Sequence, residues 1–119
     1  MNNLSQYIIE KLHLDKNIKL SDNLDDLDDL IDFVEDELNN HFLKTGESID
    51  DIKIKDYKFN DDSYTDILFN LKVNNKDRVQ RILKPLYIKM IQDKNFNLNI
   101  KAIENYQGEA IKITILKNE

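Results

Sequence analysis

The 119-residue chain has no cysteine, no tryptophan, one proline and two glycines. Without cysteine there is neither a disulfide framework nor a thiolate zinc site. With only Gly46 and Gly108, no glycine-rich phosphate-binding loop can be assembled. No apolar run approaches the length of a membrane span. Residues 1–5 show no basic stretch leading into an apolar one, so no secretory signal is expected. The two histidines, His13 and His41, have no partner at ligand spacing. Each falls near the end of an expected helix, where a cation is favoured. Ser5, Ser21, Ser48 and Ser63 read as caps and turn residues, with no nucleophile motif around them. The vocabulary of enzymes is therefore thin, and neither a catalytic residue, a metal nor a cofactor is expected.

Charge is abundant: 34% of the residues carry it, and the formal net is −6. It is unevenly placed. Between Ser21 and Asp51 there are twelve acidic residues against Lys44 alone, whereas from Ile52 onward thirteen Lys or Arg face nine Asp or Glu. A dipole of this kind bears on partners and solubility rather than on a reaction. The chain length fits one domain, residues 1–119, burying roughly two-thirds of its extended surface.

Apolar periodicity sets out the elements. Leu4, Tyr7, Ile8 and Leu12 follow helical spacing over residues 3–13. Ser21 or Asp22 is a suitable N-cap for a longer helix whose stripe runs through Leu24, Leu27, Leu30, Val34, Leu38 and Phe42 to about Lys44. Gly46 is available for a left-handed cap at its end. Ile52 and Ile54 alternate with lysines. A bulge near Asp56 would then shift Tyr57 and Phe59 onto the apolar side. After the turn at residues 60–63, Ile67, Phe69, Leu71 and Val73 form the second strand of a hairpin. Asn74 or Asn75 caps a third helix with the stripe Val79, Ile82, Leu83, Leu86, Met90 and Ile91. Pro85, inside it, predicts a kink or a break. A second hairpin pairs Phe96, Leu98, Ile100 and Ala102 with Ile111, Ile113 and Ile115 around Gln107-Gly108. Asn97, Asn99, Lys101 and Lys112 are expected in water. The order α-α-β-β-α-β-β implies an α+β domain: a four-stranded antiparallel sheet covered on one face by helices.

The chemistry-bearing candidate is a ridge of carboxylates, Asp22, Asp25, Asp29, Asp32 and Asp36, at i+3 and i+4 spacing on the acidic helix. Like charges so placed oppose the helix, and aspartate is a poor helix former, so something must offset the repulsion. One reading is a solvated face partly neutralised by the third helix through Lys76, Arg78, Arg81, Lys84 and Lys89. Another is a surface for a protein with a basic face, including imitation of nucleic-acid phosphates by carboxylates one helical turn apart. A calcium loop is not expected, since the required glycine and closing glutamate are missing after Asp22. Direct nucleic-acid binding is not expected either: the chain is acidic overall and its outer strand positions lack interleaved aromatics. Tyr57, Phe59 and Tyr64 are expected in the core.

Asn, Lys, Ile and Asp dominate the composition, as AT-rich codons favour. Leu4-Ser5-Gln6-Tyr7-Ile8-Ile9-Glu10-Lys11-Leu12 resembles the openings of small uncharacterised proteins from tailed phages of low-GC hosts. The resemblance implies a phage or mobile-element origin, and it carries over no site residue. Three functions fit these observations. The first is an acidic accessory protein that binds another protein in the host cytoplasm, for instance as an inhibitor of a nucleic-acid-handling or defence factor. The second is a virion or assembly component packing through strand edges as a homo-oligomer. The third is a small enzyme with a site assembled from Asp, Tyr and Lys.

Overall fold

The computed structural model describes residues 24–93 and 96–117, with the side chains of residues 24, 25 and 93 left aside. The expected helix over residues 3–13 and the N-cap at Ser21 or Asp22 lie outside the described residues. Helix α1 runs Leu24–Glu37 and continues into a wider, π-helical turn over Leu38–Phe42. Leu30, Val34 and Leu38 have no exposed surface, so the leucine stripe is the buried face. The Leu43 amide donates to the Leu38 carbonyl at 2.8 Å, and Leu43, extended at φ −77 and ψ 141, ends the helix. Gly46 therefore does not cap it. With φ +88 it occupies the third position of a turn closed by the Glu47 amide donating to the Lys44 carbonyl at 2.8 Å. That position requires positive φ.

Strands β1 (Ser48–Phe59) and β2 (Asp62–Lys72) form a hairpin. Its tip, Asn60 and Asp61, has φ of 52° and 69°. Two positive values in a two-residue loop match the right-handed twist of the strands. Helix α2 (Asp77–Asp93) then crosses to β3 (Asn99–Tyr106), which returns through β4 (Ala110–Lys117). Every pairing is antiparallel and the sheet order is β1-β2-β4-β3, with β4 inserted between the two strands that α2 connects. No described helix is long and apolar enough to cross a membrane.

Two bulges decide which residues face the helices. In β1 the register shifts between Ile49 and Asp51, so the bulge is at Asp50 rather than near Asp56. It brings Ile49, Ile52 and Ile54 onto one face despite their uneven spacing. Asp56 stays in register opposite Thr65, and Tyr57 opposite Tyr64. The tyrosines thus lie on the face turned away from the helices, stacked at 5.4 Å with an interplanar angle of 20°. Phe59 is 62% exposed. None of the three is core. In β3 the shift falls between Ile100 and Ala102, so the clean alternation expected there breaks at Lys101. Ile103, opposite Ile113, becomes a fully buried core residue, and Ile100 is only half-buried. Asn99, expected in water, is 7% exposed and pairs with Leu116. Lys101 and Lys112 are half-buried.

The core joins Ile67, Phe69 and Leu71 of β2 and Ile111, Ile113 and Ile115 of β4 to Val79, Ile82, Leu83, Leu86, Tyr87 and Met90 of α2. Tyr87 takes the place expected for Ile91, which is 40% exposed. Phe33 of α1 meets Phe96 edge-on at 5.6 Å. Asn75 caps α2 by accepting from the Asp77 amide at 3.1 Å. The helix passes Pro85 without a break. Pro85 and Arg81 are both on the exposed side. The carbonyl deprived of its partner is therefore on the side where solvent can satisfy it.

Candidate protein-binding surface

Helix α1 buries its leucines and so must turn its aspartates outward. Asp28, Asp29, Asp32 and Asp36 are exposed, and Asp26 and Glu35 are half-buried. Asp22 lies outside the described residues, and Asp25 is described only as a backbone position of α1. Asp29, Asp32 and Asp36 therefore make the described part of the expected ridge, and Asp28 joins them. Among the described residues none of these four takes part in an ion pair.

Two basic residues of α2, Arg78 and Lys89, are engaged away from the ridge, while Arg81 and Lys84 are exposed. Lys89 reaches Glu37 at 3.8 Å, and Glu37 is 4.0 Å from His41 at the helix end. Arg78 is committed to Glu47. Its Nε donates to Glu47 Oε2 at 2.8 Å, and one terminal nitrogen donates to Glu47 Oε1 at 2.9 Å and to the Phe42 carbonyl at 2.7 Å. Glu47 also accepts the amides of Lys44 at 2.9 Å and Asn74 at 3.0 Å. Its side chain has no exposed surface. The Arg78 guanidinium holds the Glu47 carboxyl down at about 2, against the opposing effect of burial, with the two backbone amides assisting. Glu47 holds Arg78 above its ordinary value in return.

The acidic block of the sequence is thus divided by the fold. Its helical part faces out. Glu47 turns inward as the anchor between α1 and α2, and Asp51 accepts from Asn70 Nδ2 at 2.6 Å across the hairpin. Composition alone gave no sign that Glu47 differs from its neighbours. The signal available was local: a glutamate one residue after a turn glycine, where free backbone amides converge.

Two further carboxylates are tied into the sheet. Asp66 accepts from the Thr114 hydroxyl at 2.9 Å and the Tyr57 hydroxyl at 3.2 Å. Burial and the nearby Asp66 charge raise the Tyr57 phenol to about 12. Asp56 accepts from Thr65 Oγ1 at 2.6 Å and lies 3.5 Å from Lys117. The Thr65 hydroxyl and then the Lys117 charge lower its pKa. An open groove of about 600 Å³ borders the Asp50 bulge, lined by Asp50, Asp51, Lys72, Lys76 and Glu109 among others. Its charged groups have both signs. Among the described residues no group of three His, Cys, Asp or Glu side chains is placed to hold a metal ion. The aromatic row Tyr57–Tyr64 shares its face with Asp51, Asp66 and Glu104 as well as Lys53, Lys55 and Lys112. That face has aromatics, contrary to expectation, set among charges of both signs.

No family model matches the sequence, and neither a curated protein nor a solved structure shows significant similarity to it.

Proposed function

We propose that this chain is a small accessory protein of phage type that acts by binding a basic surface on another protein through the outer face of α1. A host factor that handles nucleic acid or serves in defence is the class of target. One observation carries the reading: Asp29, Asp32 and Asp36 stand exposed along a single ridge, and no described cation pairs with them. The reading is supported over a solvated face partly neutralised by the basic helix in that Arg78 and Lys89 serve Glu47 and Glu37 rather than the ridge. Successive carboxylates about 5–6 Å apart along a helix offer a basic protein surface a row of charges in the manner of a phosphate backbone.

The test is capture from host lysate by the wild-type chain and by Asp29→Asn/Asp32→Asn/Asp36→Asn in parallel. The reading expects a protein retained by the first, lost by the second and eluted by salt. Equal capture by both chains contradicts it.

A further inference from the structure

The sheet ends on one side in an open strand. In the order β1-β2-β4-β3, β1 is hydrogen-bonded to β2 alone, so among the described residues no strand lies along its other side. β3 is the opposite edge, but it has 8 residues against 12 in β1, and a register shift between Ile100 and Ala102 interrupts it. From Asp51 to Phe59, β1 pairs with β2 without a shift. The hairpin decides which backbone groups point outward. Its two-residue loop makes Phe59 and Asp62 exchange backbone hydrogen bonds. Bonded pairs alternate with non-bonded ones, so Tyr57, Lys55, Lys53 and Asp51 also bond to β2. The amides and carbonyls of Lys58, Asp56, Ile54 and Ile52 therefore point away from the sheet. The Ile54 side chain is exposed as well. This edge is neutral in an acidic chain, since Asp50, Asp51 and Asp56 balance Lys53, Lys55 and Lys58.

We propose that β1 pairs antiparallel with β1 of a second copy of this chain, about a two-fold axis at Lys53. Ile52 and Ile54 then lie opposite the partner's Ile54 and Ile52 on the face toward the helices. Each of these pairs exchanges the outward backbone bonds that the hairpin leaves open. On the other face Asp51 and Lys55 lie opposite the partner's Lys55 and Asp51. The one like-charged pair is Lys53 on itself at the axis, and each Lys53 has the partner's Asp51 on its diagonal. Sliding the strands by one pleat toward the hairpin tip sets Ile52 against Asp56 and Lys53 against Lys55, so charge and apolar contact both select the first register. The axis stands perpendicular to the sheet. Both helix layers, and both α1 ridges, thus lie on the same side of one continuous sheet. The bulge at Asp50 limits the paired length, and the strand lysines weaken it, so the dimer is a reversible one. The α1 carboxylates take no part in the contact, which stands whatever they bind.

Amide hydrogen exchange reads the register directly. In dilute solution the amides of Ile52 and Ile54 should exchange freely, while β2 protects those of Lys53 and Lys55. As the concentration rises to millimolar, Ile52 and Ile54 should gain protection and sedimentation should show two copies. Ile54→Pro removes an outward donor without touching a bond to β2. It should weaken association more than about tenfold, and Ile54→Ala, which keeps the amide, should weaken it less. Lys55→Asp and Asp51→Lys each set like charges opposite one another twice over, and each alone should lose a comparable amount. Their equimolar mixture should recover a mixed dimer. Circular dichroism checks that each variant is folded. A wild-type chain that stays monomeric up to millimolar concentration overturns the inference, as does a mixture that fails to associate or a dimer whose Ile52 and Ile54 amides stay unprotected. Protection of those amides only on a captured host protein also overturns it, by assigning the edge to a strand of that protein. Asp29→Asn/Asp32→Asn/Asp36→Asn leaves β1 intact and should dimerise as the wild type does, so loss of the dimer and loss of the host protein are separate results.

Discussion

Glu47 and Arg78, 31 residues apart in sequence, form a two-pronged ion pair that ties the turn after α1 to the first turn of α2. Arg78 also holds the last carbonyl of the π-helical turn, and Glu47 collects two backbone amides. The pair thereby fixes where α1 ends relative to α2, and with it the direction in which the outer face of α1 points.

Glu47→Gln leaves Arg78 half-buried without its anion and weakens the charge-assisted bonds from two amides. Stability is expected to fall by about 3 kcal/mol. The neighbouring acid Asp50, exposed on the bulge, should change stability by less than about 0.5 kcal/mol on the same substitution to Asn. Urea unfolding of the two variants measures the difference.

The same pair sets an acid limb. In the folded chain Glu47 titrates at about 2, below its ordinary 4.5. A carboxyl whose folded pKa is depressed contributes stability that is complete above the unfolded value and is lost as pH falls toward the folded one. Melting temperature should therefore decline through the window from pH 4.5 to 2. In Glu47→Gln the decline over that window should be shallower. An unchanged pH slope in the variant would show that other carboxylates carry it.

Tyr57 offers a spectroscopic counterpart. Its phenol, raised to about 12, should remain protonated at pH 11, so phenolate absorbance should show a late phase that Tyr57→Phe removes. Because the folded pKa is the higher one, the stability tied to this proton is complete below about pH 10 and lost as pH rises through 12. The substitution should cost about 1 kcal/mol at neutral pH, the usual contribution of one hydrogen bond.

Burial separates residues that look alike in the sequence. Ile113 has no exposed surface and Ile54 is 51% exposed. Ile113→Ala should cost about 3 kcal/mol through lost transfer energy and the cavity left behind, while Ile54→Ala should cost less than 1. Thermal denaturation of both variants tests the assignment of faces.

The α+β class and the order of the described elements were legible because apolar period distinguishes helix from strand. Faces were legible where that period is unbroken, as for Leu30-Val34-Leu38 and for Ile111-Ile113-Ile115. They were lost where one residue is inserted. The pattern Ile49, Ile52, Ile54 admits a bulge on either side, and only the pairing with β2 places it at Asp50. Likewise Lys101 interrupts β3 and turns Ile103 inward, which no local signal at Ala102 announces. Pro85 was read for its own backbone chemistry, yet what decides its tolerance is that it lies on the solvent side of α2. Of the candidate surface, the outward direction of Asp29, Asp32 and Asp36 followed from the leucine stripe. The commitment of Arg78 to Glu47 did not, because it joins positions 31 residues apart through a turn.

The measurement that bears most directly on the role of the acidic face is a paired one on Asp29→Asn/Asp32→Asn/Asp36→Asn. Removing like charges at i+3 and i+4 relieves a few tenths of a kcal/mol per pair. If the ridge serves binding, the melting temperature holds or rises by a degree or two, while affinity for the captured partner falls and loses its dependence on salt. A variant that melts several degrees lower and binds as well as the wild type would contradict the account, because the carboxylates would then belong to the folding of the monomer.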